Sequence, residues 1–329
     1  MRKWEKISKI LVLQAVFILI IGLSWTYFVY EEKSENKITA LSSKYSLLNN
    51  RLFINDSNDI IINFAPLRTE IRSYLAKQDV GYSFFLDYFP SGSSIRAGDK
   101  EEYVAASLMK LPIVMDTYKA IDQGKIGLGD RITIDPDDVS TGFGELGGIG
   151  GGISLTYRDA IRLTLSESDN TAGRILLKEN EKLIPSKERA LNFLDIDFNR
   201  STVNQQPTVL ISARSYSSFL KCLYLSCFNT YQSSQDILKQ LTESSFNNRI
   251  KAGVADKSVK IAHKIGTYNK ESSSDCGIVY IPSRTYSICV IIGSTGDAAD
   301  KMIADVSEFA YDYITSVNPP EAIRAEEQP

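Results

Sequence analysis

Apolar and polar positions divide the chain into one long apolar run, a polar connector and a series of amphipathic segments. Ile10 to Tyr30 carries no charge and is long enough to cross a bilayer as a helix. Arg2, Lys3, Lys6 and Lys9 precede it, and Glu31, Glu32, Lys33 and Glu35 follow it. The basic flank predicts a cytoplasmic N-terminus and an outward-facing remainder. Trp25, Tyr27, Phe28 and Tyr30 sit where an interfacial aromatic belt belongs. A cleaved signal peptide has a shorter apolar stretch ending at small residues. This run ends in Thr26-Tyr27-Phe28-Val29-Tyr30, so an uncleaved anchor is expected. Residues 31–60 are polar and are expected to form an extracytoplasmic stem with a short helix around Ser42–Phe53.

Beyond the stem the periodicities alternate between helix and strand. Leu67, Ile71, Tyr74 and Leu75 give a helical stripe from Phe64 to Lys77, with Pro66 in the first turn, where its missing N–H costs nothing. Val80–Phe89 reads as a strand ending at Pro90-Ser91-Gly92-Ser93, and a second strand is expected near Ile95. A helix carrying Ser107 should run to about Gln123, starting at or just before Ser107 so that Pro112 falls near its first turn. The next helix opens at Leu155–Asp159 and runs into Ser168-Asp169-Asn170. Helical patterns continue to about Phe193 and resume over Ser212–Phe228 and Ser234–Thr242. Val259–Lys264 alternates as a strand, Gly277–Ile281 and Tyr286–Gly293 supply two more, and Ala298–Ile314 is a last helix. Strands at both ends enclosing a helical middle predict an α+β fold, an antiparallel sheet flanked by helices. The expected boundaries are 1–9 cytoplasmic, 10–30 anchor, 31–60 stem, 61–318 folded domain and 319–329 polar tail.

Composition narrows the chemistry. With 43% hydrophobic residues and a net charge of -3, the chain shows no basic stripe with interleaved aromatics, which excludes a nucleic-acid partner from the expectation. The glycines between Ser140 and Gly152 lack the Gly-Lys-Ser/Thr ending of a phosphate loop and are expected to form a flexible loop at a cleft edge. Cys222, Cys227, Cys276 and Cys289 lack zinc-site spacing. Cys276 and Cys289 flank a hairpin turn at Pro282-Ser283-Arg284, so a cross-strand disulfide and two buried thiols both remain open. His263 is the single histidine; with no G-x-S-x-G elbow in the chain, it reads as packed or surface rather than as a general base.

Three short segments carry the chemistry: Ser107-Leu108-Met109-Lys110, Ser168-Asp169-Asn170 and Lys264-Ile265-Gly266-Thr267. Ser107 and Lys110 stand at i and i+3, so their heads can meet on one helix face. A desolvated lysine can take the proton that makes a serine hydroxyl a poor nucleophile. These residues point to acyl transfer through an ester on Ser107. The order S-x-x-K, S-D-N, K-x-G resembles that of class A β-lactamases and penicillin-binding proteins over about residues 60–318. The resemblance implies that Ser168 passes a proton to the leaving nitrogen while Lys264 holds its hydroxyl. It implies further that Asn170 orients Lys110 and bonds the substrate amide, and that the N–H groups of Ser107 and Thr267 form the oxyanion hole. Gly266 would let the substrate approach the strand. Asp169 reads as a cap or turn former. Asn248-Arg249-Ile250 resembles a segment whose arginine borders the substrate carboxylate pocket, although Arg249 could equally be a solvated surface residue.

The chain departs from that family at two places. Class A enzymes carry a loop glutamate that activates the deacylating water, and no glutamate lies between Leu191 and Ile211. If Asn204 matches the family's asparagine, Arg200 falls near the glutamate's place, and Asp195 and Asp197 are the nearest carboxylates in sequence. Ile265 stands where the family has a hydroxyl that contacts the substrate carboxylate. The expectation is a membrane-anchored, outward-facing serine hydrolase without cofactor or metal. It acts on a β-lactam or a cell-wall D-alanyl-type peptide and deacylates slowly. The alternative is a domain of the same fold that binds cell-wall peptide or a partner without turnover.

Overall fold

The computed structural model describes residues 62–316 apart from 197, 204 and 205, and a few single positions before residue 50. The expected anchor, stem and tail lie outside the described residues but for those positions, as do Asp197 and Asn204. No described helix is long and apolar enough to cross a membrane. The chain divides into two units, Met1–Asp56 and Ser57–Pro329, and the second carries the elements below.

Helix α1 (Ala65–Ala76) has proline in its first turn and buries Leu67, Ile71 and Leu75, one face of an amphipathic helix. Strands β1 (Tyr82–Tyr88) and β2 (Ser93–Ala97) follow, then a two-residue strand β3 (Tyr103–Val104). Ser107 lies in a 3₁₀ turn, Ala106–Met109, that leads directly into α2 (Lys110–Asp122). Pro112 therefore sits in the first turn of α2. In a 3₁₀ turn, residues i and i+3 eclipse, which aligns Ser107 with Lys110.

The middle of the chain holds a small β4 (Arg131–Thr133) and β5 (Ser154–Thr156) pair around a glycine-rich loop containing the one-turn α3 (Leu146–Ile149). The helix expected to run into Ser168 is instead two helices, α4 (Tyr157–Ser166) and α5 (Asn170–Leu183). Ser168 adopts φ +56°, which ends α4, and Asp169 caps α5 by accepting from Ala172 N–H. After α6 (Ala190–Phe193) the chain forms a hairpin, β6 (Asn199–Val203) and β7 (Gln206–Ile211), where a loop was expected. β7 pairs with β3, giving the order β3-β7-β6. Backbone pairing to the strand that leads into Ser107 accounts for a structure that the sequence pattern here does not announce.

Helices α7 (Ala213–Leu225) and α8 (Tyr231–Thr242) precede β8 (Lys260–Tyr268), β9 (Ser272–Tyr280), β10 (Tyr286–Ile292) and α9 (Asp297–Ser316). The main sheet is antiparallel in the order β2-β1-β10-β9-β8, leaving β8 at an edge. Phe84, Leu86, Tyr286, Ile288 and Val290 join Leu67, Ile71 and Leu75 of α1 and the apolar face of α9 in one core cluster. Every residue of β10 is buried, which is why it reads as an apolar run rather than an alternation. Cys276 and Cys289 face each other in register and are disulfide-bonded; Cys222 and Cys227 form a second bridge at the end of α7.

The glycine-rich loop packs on the turn that joins α4 to α5. Asp169 Oδ2 accepts from Leu146 N–H, and Asn170 N–H donates to Phe143 O. Gly144 has φ +99°, and a Cβ there would overlap the backbone and carboxyl of Asp169. The loop is thus a fixed part of the Ser168 turn. Gly144→Ala is expected to lower unfolding stability by about 2–4 kcal/mol in urea titration, through strain and overpacking. Gly148→Ala, whose Cβ would meet nothing within 4 Å, should stay within about 0.5 kcal/mol; equal effects would mean the loop does not rest on Asp169.

Candidate active site

The 3₁₀ turn of Ser107, the Ser168 turn and the edge strand β8 meet at two lysines. Lys110 Nζ lies 3.0 Å from Ser107 Oγ, 3.1 Å from Ser168 Oγ, 2.7 Å from Asn170 Oδ1 and 2.5 Å from Ser168 O. An ammonium has three N–H groups, so four contacts exceed its donors. Ser168 O and Asn170 Oδ1 can only accept, and they fix two N–H directions. The remaining direction faces the two hydroxyls, which suits an amine lone pair. Burial lowers the Lys110 pKa to about 8, against the nearby Asp169 charge, which favours the protonated form.

Lys264 donates to Ser168 Oγ at 2.8 Å and to Ile265 O at 3.2 Å. Its full burial and then the neighbouring Lys110 hold its pKa well below the ordinary lysine value. The Phe246 ring, 6.0 Å from its Nζ, favours the cation that remains. Both lysines thus touch one hydroxyl, Ser168 Oγ. The three segments that carry chemistry in the sequence converge here: Ser107, Lys110, Ser168, Asn170 and Lys264 form one hydrogen-bonded chain.

Two backbone positions are held in the left-handed region, Ala106 (φ 45°) and Ser168 (φ 56°). Each adjoins or forms part of the serine–lysine chain, where such strain is characteristic of functional sites. Gly266 serves packing as well as access. A Cβ there would lie 3.1 Å from Ala105 O and 3.2 Å from Leu108 Cγ, so its absence lets the Ser107 turn rest on β8. Gly173 does the same for Lys110, whose Cε would lie 3.2 Å from an added Cβ.

A cleft of about 340 Å³ opens at Ser107. Its walls include Ala106, Ser107, Met109, Lys110, Ile113, Phe143, Asn170, Gly173, Arg174, Leu177 and Thr267. None of these is a carboxylic acid. Asp195 lines a different cavity, with Glu101, Glu102 and Arg214, and Arg200 lies on β6 beside the Phe198 ring. Ile265 is buried, on the strand face opposite Lys264.

Arg249 is buried, and its fork is engaged rather than solvated. It donates to Asp300 Oδ1 (2.7 Å), to Gly266 O (2.9 Å), to Ser274 O (2.7 Å) and to Thr267 Oγ1 (2.8 Å). It does not itself line the cleft; Thr267 does. His263 is buried on the far face of β8, 2.8 Å from Asp275 Oδ1. Although burial pushes the Asp275 carboxyl up, His263 and Arg249 hold it below its ordinary range. Phe143, Phe246, Gly173 and Arg174 were not singled out from the sequence. The helical spacing Asn170, Gly173, Arg174, Leu177 was the available signal for the last two.

Comparison with known proteins gives the family. Residues 66–314 match the beta-lactamase enzyme family, and the chain belongs to it: it is a serine hydrolase of the class A β-lactamase and penicillin-binding type. It is 25% identical to the β-lactamase VEB-1 of Pseudomonas aeruginosa over 63% of this chain and 76% of that one. A β-lactamase from Sphaerobacter thermophilus superposes with a TM-score of 0.70 at 22% identity, covering 78% of this chain and 100% of its own. A mutant of PBP-A, solved as an acyl-enzyme complex with penicillin G, superposes with a TM-score of 0.68 at 22% identity, covering 77% and 97%. At these identities the two structures bear on the fold alone.

Proposed function

We propose that this protein is a membrane-anchored, outward-facing hydrolase that acylates Ser107 with β-lactams or D-alanyl-type amides and releases the ester slowly. One observation carries the reading: the cleft joins Ser107 to a buried lysine pair and has no carboxylate on its walls. Neutral Lys110 takes the Ser107 proton as Oγ attacks the carbonyl carbon. As the tetrahedral centre collapses, Ser168 gives its proton to the departing nitrogen, and the proton on Lys110 replenishes Ser168 across their 3.1 Å contact. The N–H groups of Ser107 and Thr267 would stabilise the oxyanion. With Ile265 buried, the substrate carboxylate is assigned to Thr267, whose hydroxyl is oriented by Arg249. The PBP-A mutant that carries penicillin G as an acyl-enzyme supports a β-lactam as the first probe. Release of the ester needs a base that activates water, and the described cleft offers no carboxylate for that task. The complete serine–lysine chain disfavours a binding domain without turnover.

The full chain in detergent, incubated with a fluorescent penicillin, should form an adduct on Ser107 detectable by intact mass, and Ser107→Ala should form none. The adduct should persist about 10²–10⁴ longer than in an enzyme with a positioned base. Rapid nitrocefin hydrolysis that is lost in Ser107→Ala would show that another group supplies the base.

The anchor rests on the uncharged run Ile10–Tyr30 and its basic flank. Protease added to intact spheroplasts should digest the domain; protection until lysis would reverse the orientation.

A further inference from the structure

We propose that Arg174 is a specificity residue that selects substrates carrying a carboxylate on their acyl half. The inference rests on the hydrolase reading and deepens it. Helix α5 turns Asn170, Gly173, Arg174 and Leu177 to the cleft, positions i, i+3, i+4 and i+7 on one face. Asn170 sits beside Lys110 and so beside Ser107. Arg174 lies one turn, ~6 Å, further along the helix axis, within reach of a group borne on the acyl side of the scissile bond.

The other polar side chains of the cleft already have protein partners. Ser107, Lys110 and Asn170 bond one another, Asn170 Nδ2 donates to Thr141 O, and Thr267 accepts from Arg249. Arg174, which is exposed, makes no hydrogen bond or ion pair among the described residues. Its charge acts on Asp138, but Lys178, one turn on, already holds that carboxylate at 2.8 Å and Asp135 at 3.2 Å. A guanidinium with its fork free, beside a cleft without a carboxylate, is open to an anion borne by the substrate. The planar fork matches a carboxylate bidentately. Met109, Ile113, Phe143 and Leu177 supply apolar surface around it. The acyl group this wall fits is therefore apolar in its body and anionic at one end.

Carbenicillin and benzylpenicillin differ by one carboxylate on the acyl side chain and make a matched pair of probes. Second-order rate constants for acylation of Ser107 would be measured for both, with the full chain in detergent. In Arg174→Gln the carbenicillin-to-benzylpenicillin ratio should fall about five- to tenfold below wild type, and in Arg174→Glu it should fall further. In Lys182→Gln, which removes the same charge on the same helix outside the cleft, the ratio should hold. An unchanged ratio in Arg174→Gln, or an equal fall in Lys182→Gln, would overturn the assignment. Failure of benzylpenicillin to acylate wild-type Ser107 would instead overturn the hydrolase reading, and this inference with it.

Discussion

Two lysines on one serine hydroxyl form the constraint from which the rest of the site follows. Lys110 and Lys264 both contact Ser168 Oγ, so their nitrogens lie within ~6 Å and, if both were charged, would repel by about 3 kcal/mol at an effective dielectric of 20. Burial adds to that cost. The pair therefore relaxes by giving up a proton, and the geometry assigns the neutral form to Lys110. Its two N–H groups are fixed by a carbonyl and an amide oxygen, while Lys264, its pKa also lowered by burial and by Lys110, lies 6.0 Å from the Phe246 ring.

Holding that pair in place draws on several local departures from regular structure. Ser168 must leave the helix to present both its carbonyl and its hydroxyl to Lys110, hence its left-handed backbone. Asp169 then restarts the helix as a cap and pins the glycine-rich loop through Leu146 N–H. Gly173 and Gly266 bring α5 and β8 close enough for the lysines to reach. Arg249 ties the Thr267 end of β8 to Asp300 on α9. The left-handed backbone of Ala106 and Ser168 lies beside the lysine pair, as strain at functional sites often does.

The sequence exposed the three motif segments because their spacing is local. Ser107 and Lys110 are one turn apart, and the three motifs keep a readable order. The outer helices were legible from their 3.6-residue period, as with Leu67, Ile71 and Leu75, and the core strands from short apolar runs bounded by turn residues. The β6–β7 hairpin was not legible, because it is a strand pair stabilised by docking on the short β3 rather than by its own pattern. The break at Ser168 was hidden for a related reason: a left-handed serine between two helical patterns leaves no mark in hydrophobic spacing. Arg249 resembled a substrate-binding arginine in sequence, yet three of its four contacts go to Asp300 and two backbone carbonyls. Only the fold could separate those roles.

The account stands most directly on Lys110 acting as a neutral base, and the pH dependence of acylation tests it. The Lys110 pKa is lowered to about 8, so the base form is scarce below that pH and dominant above it. The step belongs to the coupled lysine pair rather than to one group alone. Stopped-flow acylation by a chromogenic β-lactam should rise about tenfold per pH unit at the acid end. It should then level with an apparent pKa near 8. A rate that is flat across this range, or that falls as the lysines lose their protons, would contradict the account.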